Sequence, residues 1–247
     1  MRVTIIGSGD AFGSGGRFHT CFHLATGERT VLVDCGASTS VALRAHDVDP
    51  AAIDAIILSH LHGDHFGGIP LFLIDAQYMT RRERPLLIAG PPGSRTRINA
   101  ALDAFFPGSR EGEWRFSWSV TEIPVGVPTD VLGLNVVSAE VVHFSGAPST
   151  ALRVTDGGKI FAYSGDTQWT DALLPIARGA DLFLCECFDY DRDLSGHLNW
   201  MTLRGKISDF AARRVMLTHM NPSMLARLDE VAQSGVLIAE DGLIVDL

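Results

Sequence analysis

Lysine is almost missing from this 247-residue chain: Lys159 and Lys206 are the only two, and arginine supplies the rest of the twenty basic residues. Twenty-nine acidic residues leave a net charge of −9. A protein that grips a long polyanion over its surface needs many cationic contacts, so this balance excludes a broad nucleic-acid-binding face. Cysteine is scarce too, at four, which is too sparse for a secreted disulfide framework. Cys185 and Cys187 stand two apart, so in a strand they share one face, and reduced, buried thiols are expected. Long apolar runs are lacking. Stretches such as 54-DAIIL-58 and 69-IPLFLI-74 fall far short of a membrane span. The opening MRVTIIGSG reads as a first strand ending in glycine, not as a signal peptide, and the expectation is a soluble cytoplasmic protein.

What is present is a chain 46% hydrophobic, enough for a large core. Short apolar runs over Val3–Ile6, Thr20–Leu24 and Thr30–Asp34 read as strands. Between the first two lies 7-GSGDAFGSGGR-17, a glycine-rich loop without the Lys-Ser/Thr ending of a nucleotide-cradling P-loop. Downstream, strands are predicted over Asp54–Leu58, Leu86–Ala89, Trp114–Ser119, Val131–Val142, Thr150–Val154, Ile160–Tyr163, Leu182–Glu186 and Val215–Thr218. Helices are predicted over Ser38–Ala45, Ile69–Met79, Ser94–Phe106, Thr170–Ala177, Trp200–Ala211 and Pro222–Gln233. No linker divides them, so residues 1–247 are read as one α/β domain. The segment 106-FPGSREGEW-114 is a candidate to overhang a site.

The chemistry gathers in 56-IILSHLHGDHFGG-68, where His60, His62, Asp64 and His65 follow an apolar strand. Imidazole and carboxylate suit zinc, manganese or iron. A closed structural zinc site would enlist cysteines, and none is near, so an open hydrolytic site is favoured. One short turn cannot aim four groups at one ion, which points to two ions completed by donors from elsewhere. Candidates stand just past other strand ends: His143, Asp166 in 163-YSGDT-167, and His219. The strands 54-DAIILSH-60 and 213-RRVMLTH-219 each deliver a histidine at the carboxyl end, as two halves with a site between them would.

The pattern His60-x-His62-x-Asp64-His65 with distal His143, Asp166 and His219 resembles the metallo-β-lactamase superfamily. The resemblance implies a four-layer αββα sandwich and two divalent ions, zinc by preference, with manganese or iron as alternatives. Carried over by position, His60, His62 and His143 would hold one ion. Asp64, His65 and His219 would hold the second, and Asp166 would bridge them. Asp34 would support the site. The stretch 182-LFLCECFDYDRDLSGHLNW-200 is similar to the ribonuclease Z-like branch, in which a strand-end glutamate orients a histidine. Glu186 and His197 fit that pair. A carboxylate beside an imidazole raises its pKa and fits it to protonate a leaving alkoxide.

The chain departs from that branch in lacking a tRNA-gripping arm, in reading 218-THMNPSM-224 after the last donor, and in 143-HFSGAPSTALR-153, where Ala151 and Leu152 replace Gly-Tyr. These departures and the charge argue against tRNA and for a small phosphodiester, cyclic or nucleotide-derived, attacked by a hydroxide shared between the ions. Asp64, His197 and Glu186 are the expected catalytic residues, and Arg17 and Arg153 are candidates for a phosphate oxygen. The alternatives keep the metals and change the substrate to a carboxylic ester, lactone, thioester or sulfate ester, or make the chain a redox or regulatory metal module. The resemblance also allows a homodimer, and no membrane partner is expected.

Overall fold

The computed structural model covers residues 1–247. In the first half, strands β1 (Arg2–Gly7), β2 (Cys21–Ala25) and β3 (Thr30–Val33) form an antiparallel meander. Strands β4 (Ala55–Ile57), β5 (Leu86–Gly90) and β6 (Trp118–Glu122) extend it in parallel. Parallel neighbours need crossovers, and helices supply them: α1 (Thr39–Ala45), α2 (Gly63–Phe66), α3 (Ile69–Tyr78) and α4 (Ser94–Phe105). The second half repeats the plan. Antiparallel β7 (Thr129–Val131), β8 (Leu134–Glu140), β9 (Thr150–Asp156) and β10 (Lys159–Tyr163) lead into parallel β11 (Leu182–Glu186), β12 (Val215–Thr218) and β13 (Leu237–Ile238). Helices α5 (Leu173–Ala177), α6 (Trp200–Leu203), α7 (Pro222–Leu225) and α8 (Leu228–Ala232) accompany it. The last strand, β14 (Ile244–Asp246), returns to pair with β1, so each sheet has seven strands.

Alternation along the strands builds the layers. Val31 and Val33 point into a core between the two sheets, and Leu32 between them points to the helices. Leu182 and Leu184 enter the same inter-sheet core, and Phe183 and Cys185 face the second helical layer. Cys187 joins Cys185 on that face, and all four thiols are free and buried. Buried on both faces, these strands read as continuous apolar runs, and the product is an αββα sandwich. No helix is long and apolar enough to cross a membrane.

Several predicted elements divide. The helix expected over Trp200–Ala211 stops at Leu203 and resumes as a 3-10 turn over Ile207–Phe210, with Gly205 between them. The Pro222–Gln233 helix breaks at Arg227, whose φ of −123° is not helical. The Val131–Val142 strand is a hairpin turned at Leu132 and Gly133, both at positive φ. Only Trp118 and Ser119 of the strand expected over Trp114–Ser119 enter the ladder. The helix expected over Thr170–Ala177 begins at Leu173.

Candidate metal centre

Loops at the carboxyl ends of the central strands bring the expected donors together, at the edge where α/β sheets generally hold ligands. His60 follows β4, and α2 opens at Gly63 so that Asp64 and His65 lie in its single turn. His143 follows β8, Asp166 follows β10 and His219 follows β12. Donor atoms of His60, His62 and His143 lie within 4.8 Å of one another, as do those of Asp64, His65, Asp166 and His219. Asp166 stands between the groups. Its Oδ2 is 3.2 Å from His219 Nε2, 3.3 Å from His65 Nε2, 3.8 Å from His60 Nε2 and 3.9 Å from His143 Nε2.

Four of the five rings are fixed through Nδ1. Asp34 receives Ser59 N–H on Oδ1 and Ser59 O–H on Oδ2, both at 2.7 Å, and the same Oδ2 meets His65 Nδ1 at 2.7 Å. Ser59 Oγ in turn lies 3.0 Å from His60 Nδ1. His143 Nδ1 donates to Gly196 O at 2.8 Å, and His219 Nδ1 lies 3.4 Å from Thr20 Oγ1. These four rings therefore turn Nε2 inward. His62 differs, presenting Nδ1 at 2.9 Å from His143 Nε2. Asp34 and His219 both sit at positive φ (60° and 62°), strained backbone of the sort concentrated at functional sites.

The residues fit divalent cations. His60 Nε2, His65 Nε2 and Asp166 Oδ1 are buried without a hydrogen-bond partner, a costly state for polar atoms unless a ligand satisfies them. Burial holds His60 well below the ordinary imidazole pKa and lowers His143 and His219 as well, so their lone pairs are available. Burial pushes the Asp64 and Asp166 carboxyls up, but neighbouring histidines pull both below the usual range. His65 alone among the buried rings is raised: burial opposes its proton, and the Asp166 and Asp64 carboxylates outweigh burial. Ionised carboxylates beside the neutral imidazoles of His60, His143 and His219 are a donor set for a positive ion, which would take the place of the proton that the carboxylates favour on His65.

Beside this cluster stands the expected pair. His197 Nδ1 is 3.1 Å from Glu186 Oε1, which also accepts Thr167 N–H at 2.7 Å. A ring nitrogen of His197 falls within 4.8 Å of donors on His143 and Asp166. Its ring stacks on Phe188 at 4.6 Å and lies nearly parallel to His219. Burial raises the Glu186 carboxyl to about 7. Burial alone would lower His197, but its bond to Glu186 and the carboxylate's charge raise it to about 9.

One expectation, that the 106–114 segment overhangs the site, is corrected, and the two candidate arginines have other partners as well. Arg153 lies on the outer face of β9, donating to the Ile176 and Arg178 carbonyls at 2.8 and 2.9 Å. Arg17 is tied to Ser8 Oγ at 3.0 Å and Ala239 O at 2.5 Å. Each guanidinium commits its Nη1 to protein oxygens. The 106–114 segment packs on α3, where Gln77 bonds Glu113 O and Arg115 N, and it lines a cavity of about 480 Å³ that contains none of the donors. Sequence reading missed Ser59, Thr20, Thr167 and the Gly196 carbonyl. Ser59 sits directly before His60, but its role depends on β3 and β4 being neighbours. It also missed Arg97 on α4, whose guanidinium donates to Ser145 O on the loop after His143.

A family model described as anti-Pycsar protein Apyc1 matches residues 1–240. The chain belongs to the Apyc1 family. A Mycobacterium leprae relative, named only as an uncharacterised protein, is 30% identical over 240 residues, covering 95% of this Apyc1-family chain and 82% of its own length. The probable metallo-hydrolase YhfI of Bacillus subtilis is 25% identical over 228 residues, 89% of this chain and 87% of the relative. YhfI's crystal structure, a metallo-β-lactamase fold, superposes with a TM-score of 0.80 over 99% of both chains at 23% identity. The short form of human tRNase Z superposes with a TM-score of 0.79 over 100% of this chain and 99% of its own, at 24% identity. The Apyc1-family chain thus has the metallo-β-lactamase fold.

Proposed function

We propose that this chain is a dinuclear metal-dependent hydrolase of small phosphodiesters, cyclic or nucleotide-derived, and that as a member of its family it serves as an anti-Pycsar protein. The observation that carries the reading is Asp166 Oδ2, set among four inward-turned imidazoles with the His197–Glu186 pair beside them. His60, His62 and His143 would hold one cation, and Asp64, His65 and His219 the other, with Asp166 touching both. Divalent ions there supply Lewis acidity toward the ester oxygens and water acidic enough to attack at neutral pH. Nitrogen and oxygen donors without thiolate suit zinc, with manganese and iron as alternatives.

The chain's own part is positional. Asp34 and Ser59 hold His65 and His60 in one orientation, so the donors meet an incoming charge without reorganising. Glu186 aligns His197 and favours its protonated form, which can deliver a proton to a leaving alkoxide. That arrangement favours a substrate with a poor leaving group, such as an alkyl phosphodiester. Scarce lysine and net charge −9 disfavour a large RNA.

His197→Ala tests the proton-donor role on which this reading rests. Loss of a positioned acid costs about 10²–10⁴ in kcat where the leaving group needs a proton. A cyclic nucleotide should suffer that loss, and bis(p-nitrophenyl) phosphate, whose leaving group is stable as an anion, should lose much less. Equal loss on both would count against proton donation.

A further inference from the structure

His219, on the second half of the chain, is held by the glycine-rich loop of the first. Its backbone N–H donates to Ser8 O at 3.0 Å, and Thr218 Oγ1 donates to the same carbonyl at 3.3 Å. Its ring Nδ1 meets Thr20 Oγ1 at 3.4 Å, and that hydroxyl donates to Gly9 O at 3.3 Å. A threonine hydroxyl has one proton to give. Spent on Gly9 O, it leaves the oxygen to accept Nδ1–H, which turns the Nε2 lone pair toward the other donors. The φ of 62° at His219 is one that a non-glycine backbone keeps only where its surroundings hold it. The placement of this ring therefore depends on where Ser8, Gly9 and Thr20 are kept.

A carboxylate from the end of the chain keeps them. The segment after β13 crosses from the second sheet to the first: Ala239 N–H donates to Leu217 O on β12 at 2.9 Å, and Gly242 N–H to Ile5 O on β1 at 2.7 Å. Between those anchors, Asp241 Oδ1 accepts both Ser8 N–H and Ser8 O–H at 2.8 Å, and Oδ2 accepts Phe18 N–H at 2.8 Å. Ser8 and Phe18 stand on the two legs of the glycine-rich loop, which Gly9 N–H joins by donating to Phe18 O at 2.7 Å. The legs touch as bare backbone, since a side chain at Gly7 would run into His19 O. Arg17 Nη1 closes the arrangement, donating to Ser8 Oγ at 3.0 Å and to Ala239 O at 2.5 Å. One carboxylate thus takes three donors from both legs, and hydrogen bonds to carboxylates are among the stronger ones.

We propose that Asp241 is a positioning residue for His219: it fixes Ser8 and Phe18, and through them the carbonyl and hydroxyl that set the backbone and ring of His219. The inference rests on the two-cation reading above. Asp241 touches neither cation, and its effect falls on the ion that His219 would hold. The other ion is separate in this respect, because His60 and His143 are set by Ser59 and the Gly196 carbonyl. Loss of Asp241 therefore weakens one ion and spares the other.

The test measures zinc binding by competition with a chromophoric chelator in the full chain and in Asp241→Ala, Asp241→Asn and Asp54→Asn. Partners that orient metal ligands are worth about 10–100-fold in metal affinity. Asp241→Ala should weaken one of two zinc ions by that factor and leave the other as in the parent. Asp241→Asn keeps an oxygen for Ser8 and loses the acceptor for Phe18 N–H, so the same ion should be weakened by less. Asp54 accepts Thr30 N–H at 3.0 Å at the end of β4 opposite His60. Asp54→Asn is therefore the control for instability and should leave both affinities unchanged. In crystals of Asp241→Ala grown with limiting zinc, the anomalous peak beside His219 should be depleted and the one against His60, His62 and His143 kept. Two ions held as tightly by both Asp241 variants as by the parent, both ions weakened alike, or the same selective loss in Asp54→Asn overturns the role. If Asp241→Ala does not fold, Asp241→Asn decides by the same criteria. A parent that holds fewer than two ions defeats the two-cation reading, and this role with it; a parent that holds two, with unaltered variants, defeats the role alone.

Discussion

His197 links the site to pH. Its folded pKa is raised to about 9, so the protonated imidazole is favoured more in the native protein than in the unfolded chain. The stabilisation this gives is fully present below the ordinary histidine pKa of about 6.5 and is lost as pH rises through about 9. Proton donation follows the same limb. Turnover of a cyclic nucleotide should decline above roughly pH 9, and His197→Ala should abolish that limb in a pH–rate profile. A parent profile flat to well above pH 9 would contradict the role. Asp34 acts one bond further out. Asp34→Asn replaces an acceptor that serves Ser59 and His65 together, and loss of such a partner costs about 10–100-fold in metal affinity. Competition with a chromophoric chelator measures this, and unchanged affinity would show that Asp34 does not set the His65 ring.

Among the elements, the loop after β3 and the turn of α2 touch as bare backbone. A Cβ at Gly36 would stand 2.2 Å from Asp64 O and 2.5 Å from His19 Cβ. Gly36→Ala must push α2 away, at a cost of about 1–3 kcal/mol, or several degrees of Tm in a chain this long. The same displacement would move Asp64 and His65, so thermal melting and metal content should fall together. An unchanged melting temperature would show that the contact yields freely. This closeness also explains what was legible in the sequence. The strands β1, β3, β4, β11 and β12 announce themselves because burial on both faces makes them unbroken apolar runs. His60, His62, Asp64 and His65 are adjacent in the chain, so their grouping is local information. The breaks at Gly205 and Arg227 are not legible, because short helices are set by the sheet they cover and not by their own periodicity. Ser59, Thr20 and the Gly196 carbonyl act through contacts between segments far apart in the chain, which spacing along the chain does not encode. For Arg17 and Arg153 the sequence could not foretell that Nη1 of each is placed on protein oxygens.

At the scale of the molecule, two half-sandwiches of like plan close face to face, and each sends donors from the carboxyl ends of its parallel strands. His60, His62, Asp64 and His65 come from the first half, and His143, Asp166 and His219 from the second. Cations held between them would tie the halves together, and buried carboxylates and neutral imidazoles lie ready for that charge. The most direct test is a crystal of metal-loaded protein measured at the absorption edge of the bound metal. Two anomalous peaks per chain, about 3.5–4 Å apart as in two-metal sites generally, are predicted, one against His60, His62 and His143, the other against Asp64, His65 and His219, with Asp166 touching both. A single peak, or peaks away from Asp166, would contradict the account.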